Sequence, residues 1–463
     1  MSQSVFEINY QRHTGQQEVI SELVRRKKEW DIATIVCSRG WGKTLFGTCD
    51  ILVPTMLSLK NSQSMWVAPT YKHCGAMFDD VWKGIDENTG KRFIPDTCEN
   101  TGIKFFEHKK GVYELHLFNG SKVFARSTQN PDNIVAKGFN LIIIDEASLI
   151  NKDIFYHQIL GTARRKGIKI IIITTPRGKN WVYELYLAGQ EKGNGTYISF
   201  RQPWWKRPDY PEFLKKIMLD IPEHIRKQEF EAEFIDDGSG AFTNFSNIFK
   251  GDSIDFPGQN QHWERPLSQK ELDEETFVLS VDFAKSVDYT VIVGMTQNTR
   301  RMFYYKRFNK MDYKLVLEDL RRIAKKYEAD IIFDATGVGA GLQDFLSGDF
   351  NVHPFKFTNE SKNEIINKMI LAFQYVEIEL PNITTMRNEF ELFTYTMSKT
   401  GKILYSAPDG KHDDTVIAVA MANWYCLENA GAGQVRAVED YFSVINDIYS
   451  PRSKLQQLMD EDD

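Results

Sequence analysis

The sequence predicts an α/β protein in two parts. A mainly parallel sheet comes first, and an antiparallel meander that leads into a helix and a further strand comes second. Three observations carry this prediction. Apolar runs such as Leu141–Ile144 and Ile168–Ile173 are nearly continuous and β-branched, the pattern of strands buried on both faces of a parallel sheet. A glycine-containing Lys-Thr loop, residues 37–44, stands between the first such run and a helical pattern. After residue 236 the composition turns to Gly, Asp, Asn and Ser, and strand periodicity resumes only at Phe277.

The elements follow in order. Residues 16–30 read as an amphipathic helix whose basic end, Arg25–Lys28, is a solvated face. Strands are expected at Ala33–Val36, Met65–Ala68, Leu141–Ile144 and Ile168–Ile173. Glu114–Arg126 differs, because two alternating stretches flank Asn119-Gly120, the signature of a tight hairpin. Residues 236–276 read as irregular connection. Strands at Phe277–Phe283, Thr290–Met295 and Met302–Phe308 then form a meander, followed by a helix over 312–327 and a strand ending at Asp334. The last ~35 residues read as a solvated tail.

At 463 residues the chain is too long for one ordinary core, so two domains are expected. Hydrophobic residues at 42% and charged residues at 26% suit a globular protein. A net charge of −6 points to no nucleic acid by itself, so such a partner would need a local basic face. The five cysteines are scattered without a CxxC pair, which argues against zinc or a disulfide frame and for a reducing compartment. The N-terminal stretch lacks a basic segment followed by an apolar one, and no run approaches the ~20 residues of a membrane span. A cytoplasmic protein is expected.

Cys37-Ser38-Arg39-Gly40-Trp41-Gly42-Lys43-Thr44 departs from the generic phosphate loop at its first glycine but keeps the rest. Backbone N–H groups at a helix N-terminus hold phosphate, Lys43 neutralises β/γ oxygens and the Thr44 hydroxyl suits Mg²⁺. About 100 residues later Leu141–Ile144 ends in Asp145-Glu146-Ala147 at the C-terminal edge of the sheet, where ligands bind. Asp145 would hold Mg²⁺ and Glu146 would polarise the attacking water. Thr174-Thr175-Pro176-Arg177 closes another strand and places Thr175 as a candidate γ-phosphate contact.

The second part carries a different chemistry. Asp282 lies in an apolar strand, Asp334 ends Ile331–Phe333, and Asp413-Asp414 starts a helical pattern. Hard oxygen donors converging from two strands and a helix start suit Mg²⁺ or Mn²⁺, and two such ions can hydrolyse a phosphodiester. Asp413 reads equally as a helix N-cap. His412 reads as a neighbour rather than a ligand, and Asp288 is a further candidate. The architecture so expected is an N-terminal P-loop ATPase domain over 1–235, a linker at 236–276, a ribonuclease H-like nuclease domain over 277–428 and a tail from 429.

With these residues in view the chain resembles the large terminase subunit of tailed double-stranded DNA bacteriophages. The resemblance rests on His13–Gln16, Ser38–Thr44, Asn119–Ser121, Lys137-Gly138, Ile144–Ala147, Thr174–Pro176, Glu229–Phe234, Asp282, Asp334 and His412–Asp414. It implies an ATP-driven motor that pumps the genome into a preformed capsid and a nuclease that cuts concatemeric DNA. It also implies double-stranded DNA, a small terminase subunit and a portal protein as partners, with a homo-oligomeric ring at the portal in the host cytoplasm. By matching positions, Gln16 is the adenine-contacting glutamine and Arg39 the phosphate-loop arginine. Lys137 falls near the position where relatives carry an arginine before glycine, so Arg126 or Arg164 is an alternative source of a trans-acting finger. A helicase-nuclease of DNA repair is the alternative reading. It calls for a second motor lobe, and no such α/β half follows Arg177-Gly178.

Overall fold

The computed structural model describes residues 10–429, apart from 83, 87–89, 94–103, 109–111, 118, 135–137, 192–194, 237–239, 284–288, 310–312, 337–349, 398–402 and 409. Asp288, Lys137 and the tail lie outside the described residues. The chain divides into two compact units that change over near residue 236.

The first unit is built on an eight-stranded sheet. Its strands are β1 (Ile32–Cys37), β2 (Gln63–Ala68), β3 (Lys104–His108), β4 (Val112–His116), β5 (Lys122–Ser127), β6 (Leu141–Asp145), β7 (Lys169–Thr174) and β8 (Tyr197–Gln202). The order is β8-β1-β7-β6-β2-β5-β4-β3. Pairing is parallel from β8 through β5, and β5-β4-β3 is antiparallel. Successive residues of one strand feed opposite cores: Ile143, Ile171 and Ile173 face one, while Ile142, Ile144 and Ile172 face the other. Burial on both faces explains why these runs show no alternation.

The expected hairpin joins β4 to β5 and adds an antiparallel edge. Gly120 sits there at φ 81°, and a Cβ on it would meet the Asn61 side chain at 2.1 Å, so only glycine fits. Helix α1 spans Thr14–Arg25, two residues earlier than the periodicity indicates. His13, an unusual cap, accepts from the Gln16 N–H while Gln16 reaches back to the His13 N–H.

The second unit holds a six-stranded sheet. Its members are β10 (Gln261–Glu264), β11 (Phe277–Asp282), β12 (Thr290–Thr296), β13 (Met302–Phe308), β14 (Asp330–Asp334) and β15 (Val352–Phe355), in the order β10-β13-β12-β11-β14-β15. The meander, the helix (here Tyr313–Tyr327) and the returning strand occur in the expected sequence, with β14 parallel to β11. One sheet face packs Leu279, Val281, Ile331 and Phe333 against that helix. The other face receives the C-terminal helix Asp414–Glu428.

Residues 236–276, expected as irregular connection, are largely ordered within this unit. Strand β9 (Phe249–Ile254) pairs in parallel with β16 (Leu380–Ile383), and β10 extends the sheet beyond β13. Helix Gln269–Glu274 starts at a Ser268 capping box. These edge strands are short and mostly exposed, so their apolar pattern is weak, and their pairing partners are remote in sequence.

Candidate active sites at two sheet edges

The loop after β1 owes its shape to two left-handed glycines, Gly40 at φ 72° and Gly42 at φ 84°. A Cβ on Gly42 would lie 2.9 Å from the Gln16 amide nitrogen. Helix α2 begins at Lys43, widens to π geometry over Gly47–Leu52 and resumes to Ser58. Its N-terminus aims unpaired N–H groups at the loop, the arrangement that binds phosphate. Ser38 and Trp41 are buried in the loop, and Gln16 donates to the Trp41 carbonyl at 3.2 Å. His13 Nε2 lies 2.9 Å from the same carbonyl. The Gln16 amide thus bridges the helix cap, through its oxygen on the His13 N–H, and the loop, through its nitrogen on the Trp41 carbonyl.

Strands β6 and β7 bring the remaining groups to the same edge. Thr44 Oγ1 donates to Asp145 Oδ2 at 3.1 Å. Lys43 Nζ donates to Thr175 Oγ1 at 2.9 Å and lies 3.4 Å from Glu146 Oε1. Glu146 is half-buried and takes φ 48°, ψ 44°, a left-handed backbone that costs about 1–3 kcal/mol in a non-glycine residue and clusters at functional sites. Burial, then the neighbouring Glu146 charge, pushes Asp145 up to about 7 against the pull of Lys43 and Thr44. For Glu146 burial acts upward too, but Lys43, Arg177, His73 and Arg39 outweigh it and hold the carboxyl below its ordinary range. The two adjacent carboxyls are thus pushed in opposite directions, Asp145 upward and Glu146 downward.

Arg39 is held by Glu229. Its Nη1 is 3.7 Å from Glu229 Oε2, and its N–H donates to the Glu229 carbonyl at 2.7 Å. Arg177 Nη1 pairs with the other oxygen of this fully buried carboxylate at 2.9 Å. Tyr210 donates to the Arg39 carbonyl and Arg207 to that of Gly40, so the segment after β8 clasps the loop. Sequence reasoning gave Glu229 no role, although a carboxylate just before Phe230 and Phe234 was a usable signal. His73, capped by Thr70 at 2.8 Å and electrostatically coupled to Glu146, carried no signal at all. Arg126 is tied to Glu114 at 3.0 Å and to the Ala125 and Asn133 carbonyls, whereas Arg164 is exposed.

The second edge lies in the other unit. Asp282 is the last residue of β11, within the apolar strand where it was expected, and is half-buried. Asp334 ends the parallel neighbour β14, one residue beyond the last registered pair, Val281–Phe333. Both belong to the face opposite Val281 and Phe333, the one that receives the C-terminal helix. That helix starts at Asp414, whose Oδ2 accepts from the Tyr289 N–H at 3.3 Å and lies 3.4 Å from His412 Nδ1. Asp413 occupies the N-cap position, yet its side chain caps nothing and pairs with Lys362 at 3.2 Å. Asp334 Oδ1 accepts from the Thr336 N–H at 2.7 Å. The donors are hard oxygens gathered at one edge, which suits Mg²⁺ or Mn²⁺. Among the described residues no three His, Cys, Asp or Glu side chains are close enough together to hold an ion. The fit to a metal is therefore one of donor chemistry and placement.

Comparison with known proteins bears on both units. The family model described as terminase large subunit, T4likevirus-type, N-terminal, matches residues 34–249. The large terminase subunit of Thermus phage G20c is 24% identical over 389 residues, 78% of each chain. In sequence the chain is similar to large terminase subunits. The large terminase subunit of Escherichia phage T5 is 28% identical over 151 residues, 32% of this chain and 34% of its own. Among solved structures, the large terminase of a second thermophilic bacteriophage overlaps 90% of this chain and 99% of its own, at 13% identity and TM-score 0.45. The magnesium-bound large terminase nuclease of phage G20c overlaps 40% of this chain and 97% of its own, at 21% identity and TM-score 0.34. The likeness to large terminases rests on the sequence matches. No described helix is long and apolar enough to cross a membrane.

Proposed function

We propose that this protein is a large terminase subunit, a DNA-packaging motor with a built-in nuclease. ATP hydrolysis at the first edge drives double-stranded DNA into a procapsid, and metal-dependent hydrolysis at the second cuts concatemeric DNA. The observation that carries the motor reading is the joining of Thr44 to Asp145 and of Lys43 to Thr175 and Glu146 across about a hundred residues. ATP would lie on Ser38–Thr44, with Mg²⁺ at Thr44 and Asp145, supplying the phosphoanhydride and neutralising its charge. Lys43 then exchanges its Thr175 contact for phosphate oxygens, and Glu146 orients water. Gln16 and Trp41 border this cradle, and Thr175 stands where the γ-phosphate is sensed.

At the second edge Asp282, Asp334, Asp413 and Asp414 would hold Mg²⁺ or Mn²⁺, which supplies an activated water and stabilises the leaving oxygen. The partners proposed are a small terminase subunit that selects DNA and a portal ring on which copies of this chain assemble in the host cytoplasm. The test is ATP hydrolysis with DNA, with emptied capsids, and with both. Stimulation by the combination beyond either alone supports packaging. Stimulation by DNA alone, unchanged by capsids, favours the helicase-nuclease reading.

A further inference from the structure

Helix Asp414–Glu428 begins without a cap of its own, because the Asp413 side chain makes no capping bond. A helix N-terminus leaves its first N–H groups without partners, and a buried one must find them elsewhere. Here the Thr415 N–H donates to Glu389 Oε2 at 2.8 Å. Glu389 comes from a separate helix, Thr384–Leu392, and is buried, as is its partner Arg307. Arg307 Nη2 lies 3.1 Å from the other Glu389 oxygen.

Arg307 reaches the same carboxylate edge by a second route. It lies opposite Val291, which lies opposite Asp282, so the three form one row on one sheet face. Its guanidinium stacks 3.5 Å over the Tyr289 ring, and the Tyr289 N–H donates to Asp414 Oδ2. Tyr305, two residues before Arg307 on β13, places its hydroxyl 3.3 Å from Thr415 Oγ1. Every contact leads to the first turn of the helix that carries Asp414. Burial, aggravated by the Asp414 charge, pushes the Glu389 carboxyl up to about 7, a cost that an apolar residue at this position would avoid.

We propose that Glu389, held by Arg307, is a positioning residue for the metal-facing carboxylates: it caps the helix from outside and so fixes Asp414 while relieving Asp413 of the capping role. This inference rests on the nuclease reading of the second edge. Groups that orient metal ligands typically change metal affinity about 10–100-fold when lost.

The experiment compares two double variants of the full chain, each free of an unpaired buried charge. Arg307→Met with Glu389→Leu removes the cap. Arg307→Met with Glu389→Gln keeps an acceptor for the Thr415 N–H. Melting temperature is followed against Mn²⁺, alongside plasmid nicking over the same titration and ATPase as the folding control. The expected result is a Mn²⁺ midpoint raised about 10-fold in the Leu variant and restored to within about 3-fold in the Gln variant. Nicking by the Leu variant should recover at high Mn²⁺. A Leu variant that melts lower without metal but keeps the wild-type midpoint would make Glu389 a purely structural residue and overturn the inference. Wild type that neither nicks nor shifts with Mn²⁺ would instead remove the nuclease reading, and the inference with it.

Discussion

The two candidate sites occupy equivalent places, the C-terminal edges of parallel strands, yet they are assembled from different groups. At the motor edge every anionic group has a cationic or hydroxyl partner: Lys43 for Glu146, Thr44 for Asp145, Arg39 and Arg177 for Glu229. At the nuclease edge, Asp282 and Asp334 end neighbouring parallel strands, Asp414 accepts from the Tyr289 N–H, and Asp413 pairs with Lys362 at 3.2 Å. The difference teaches what each site awaits. The first is neutralised in advance and receives its own cation already chelated by ATP. The second presents carboxylate oxygens from two strands and a helix start, donors that suit a divalent cation.

Replacing Glu146 by Gln breaks the comparison at the motor edge. Loss of a positioned base costs about 10²–10⁴ in turnover, while ATP binding should stay near wild type. ATPase rates and nucleotide fluorescence check this, and normal turnover would mean that Glu146 is only a partner for Lys43.

Glu229→Gln should come next in size. It leaves Arg39 and Arg177, both partly buried, without their carboxylate, a change that costs about 1–3 kcal/mol in chemical denaturation of the first unit. A change below about 1 kcal/mol would show that the arginines find other partners.

The motor edge should also respond to pH through Asp145. Its carboxyl titrates from 3.8 when unperturbed and near 7 when folded, so its protonated form favours folding. That contribution is fully present below the ordinary value and is lost as the pH rises through about 7. Glu146, shifted down, acts in the opposite sense and favours folding above its ordinary range. Mg²⁺ needs the ionised form of Asp145, so Mg·ATP binding at pH 6 should expel close to one proton and be about 10-fold weaker than at pH 8. Calorimetry in buffers of differing ionisation enthalpy measures this, and equal heats in all buffers would contradict it.

The smallest effect sharpens the other side. Lys362 is half-exposed, and such pairs are worth less than about 1 kcal/mol. Lys362→Met should therefore lower the Mn²⁺ midpoint only a few-fold, by removing a competitor for Asp413. An unchanged midpoint would take Asp413 out of the metal set.

How legible this was in the sequence depended on the range of the interaction. Strands β1, β6 and β7 announced themselves because burial on both faces demands unbroken Ile and Val. The phosphate loop and the Asp145-Glu146 pair were legible because their chemistry is written in adjacent residues. What escaped were groups whose meaning lies in a distant partner. Glu389 shares a helix with Met386 and Phe390, so a carboxylate on a buried face was visible, but Arg307 and Thr415 as its partners were not. Arg39 was legible as the phosphate-loop arginine that the resemblance implies, but its contact with Glu229, nearly two hundred residues away, was not. The edge strands β9 and β10 were lost for the same reason, since their registers are set by β16 and β13.

The central claim is that one chain carries two chemically separate sites, and Lys43→Ala and Asp282→Ala, each assayed for both activities, test it most directly. Lys43→Ala should lose ATPase by about 10³-fold or more, by analogy with loss of a charge-neutralising arginine in phosphoryl transfer, and still nick plasmid with Mn²⁺ at the wild-type rate. Asp282→Ala should lose nicking and the Mn²⁺-induced rise in melting temperature while keeping DNA-stimulated ATPase. Full ATPase in Lys43→Ala, or full nicking in Asp282→Ala, would contradict the account.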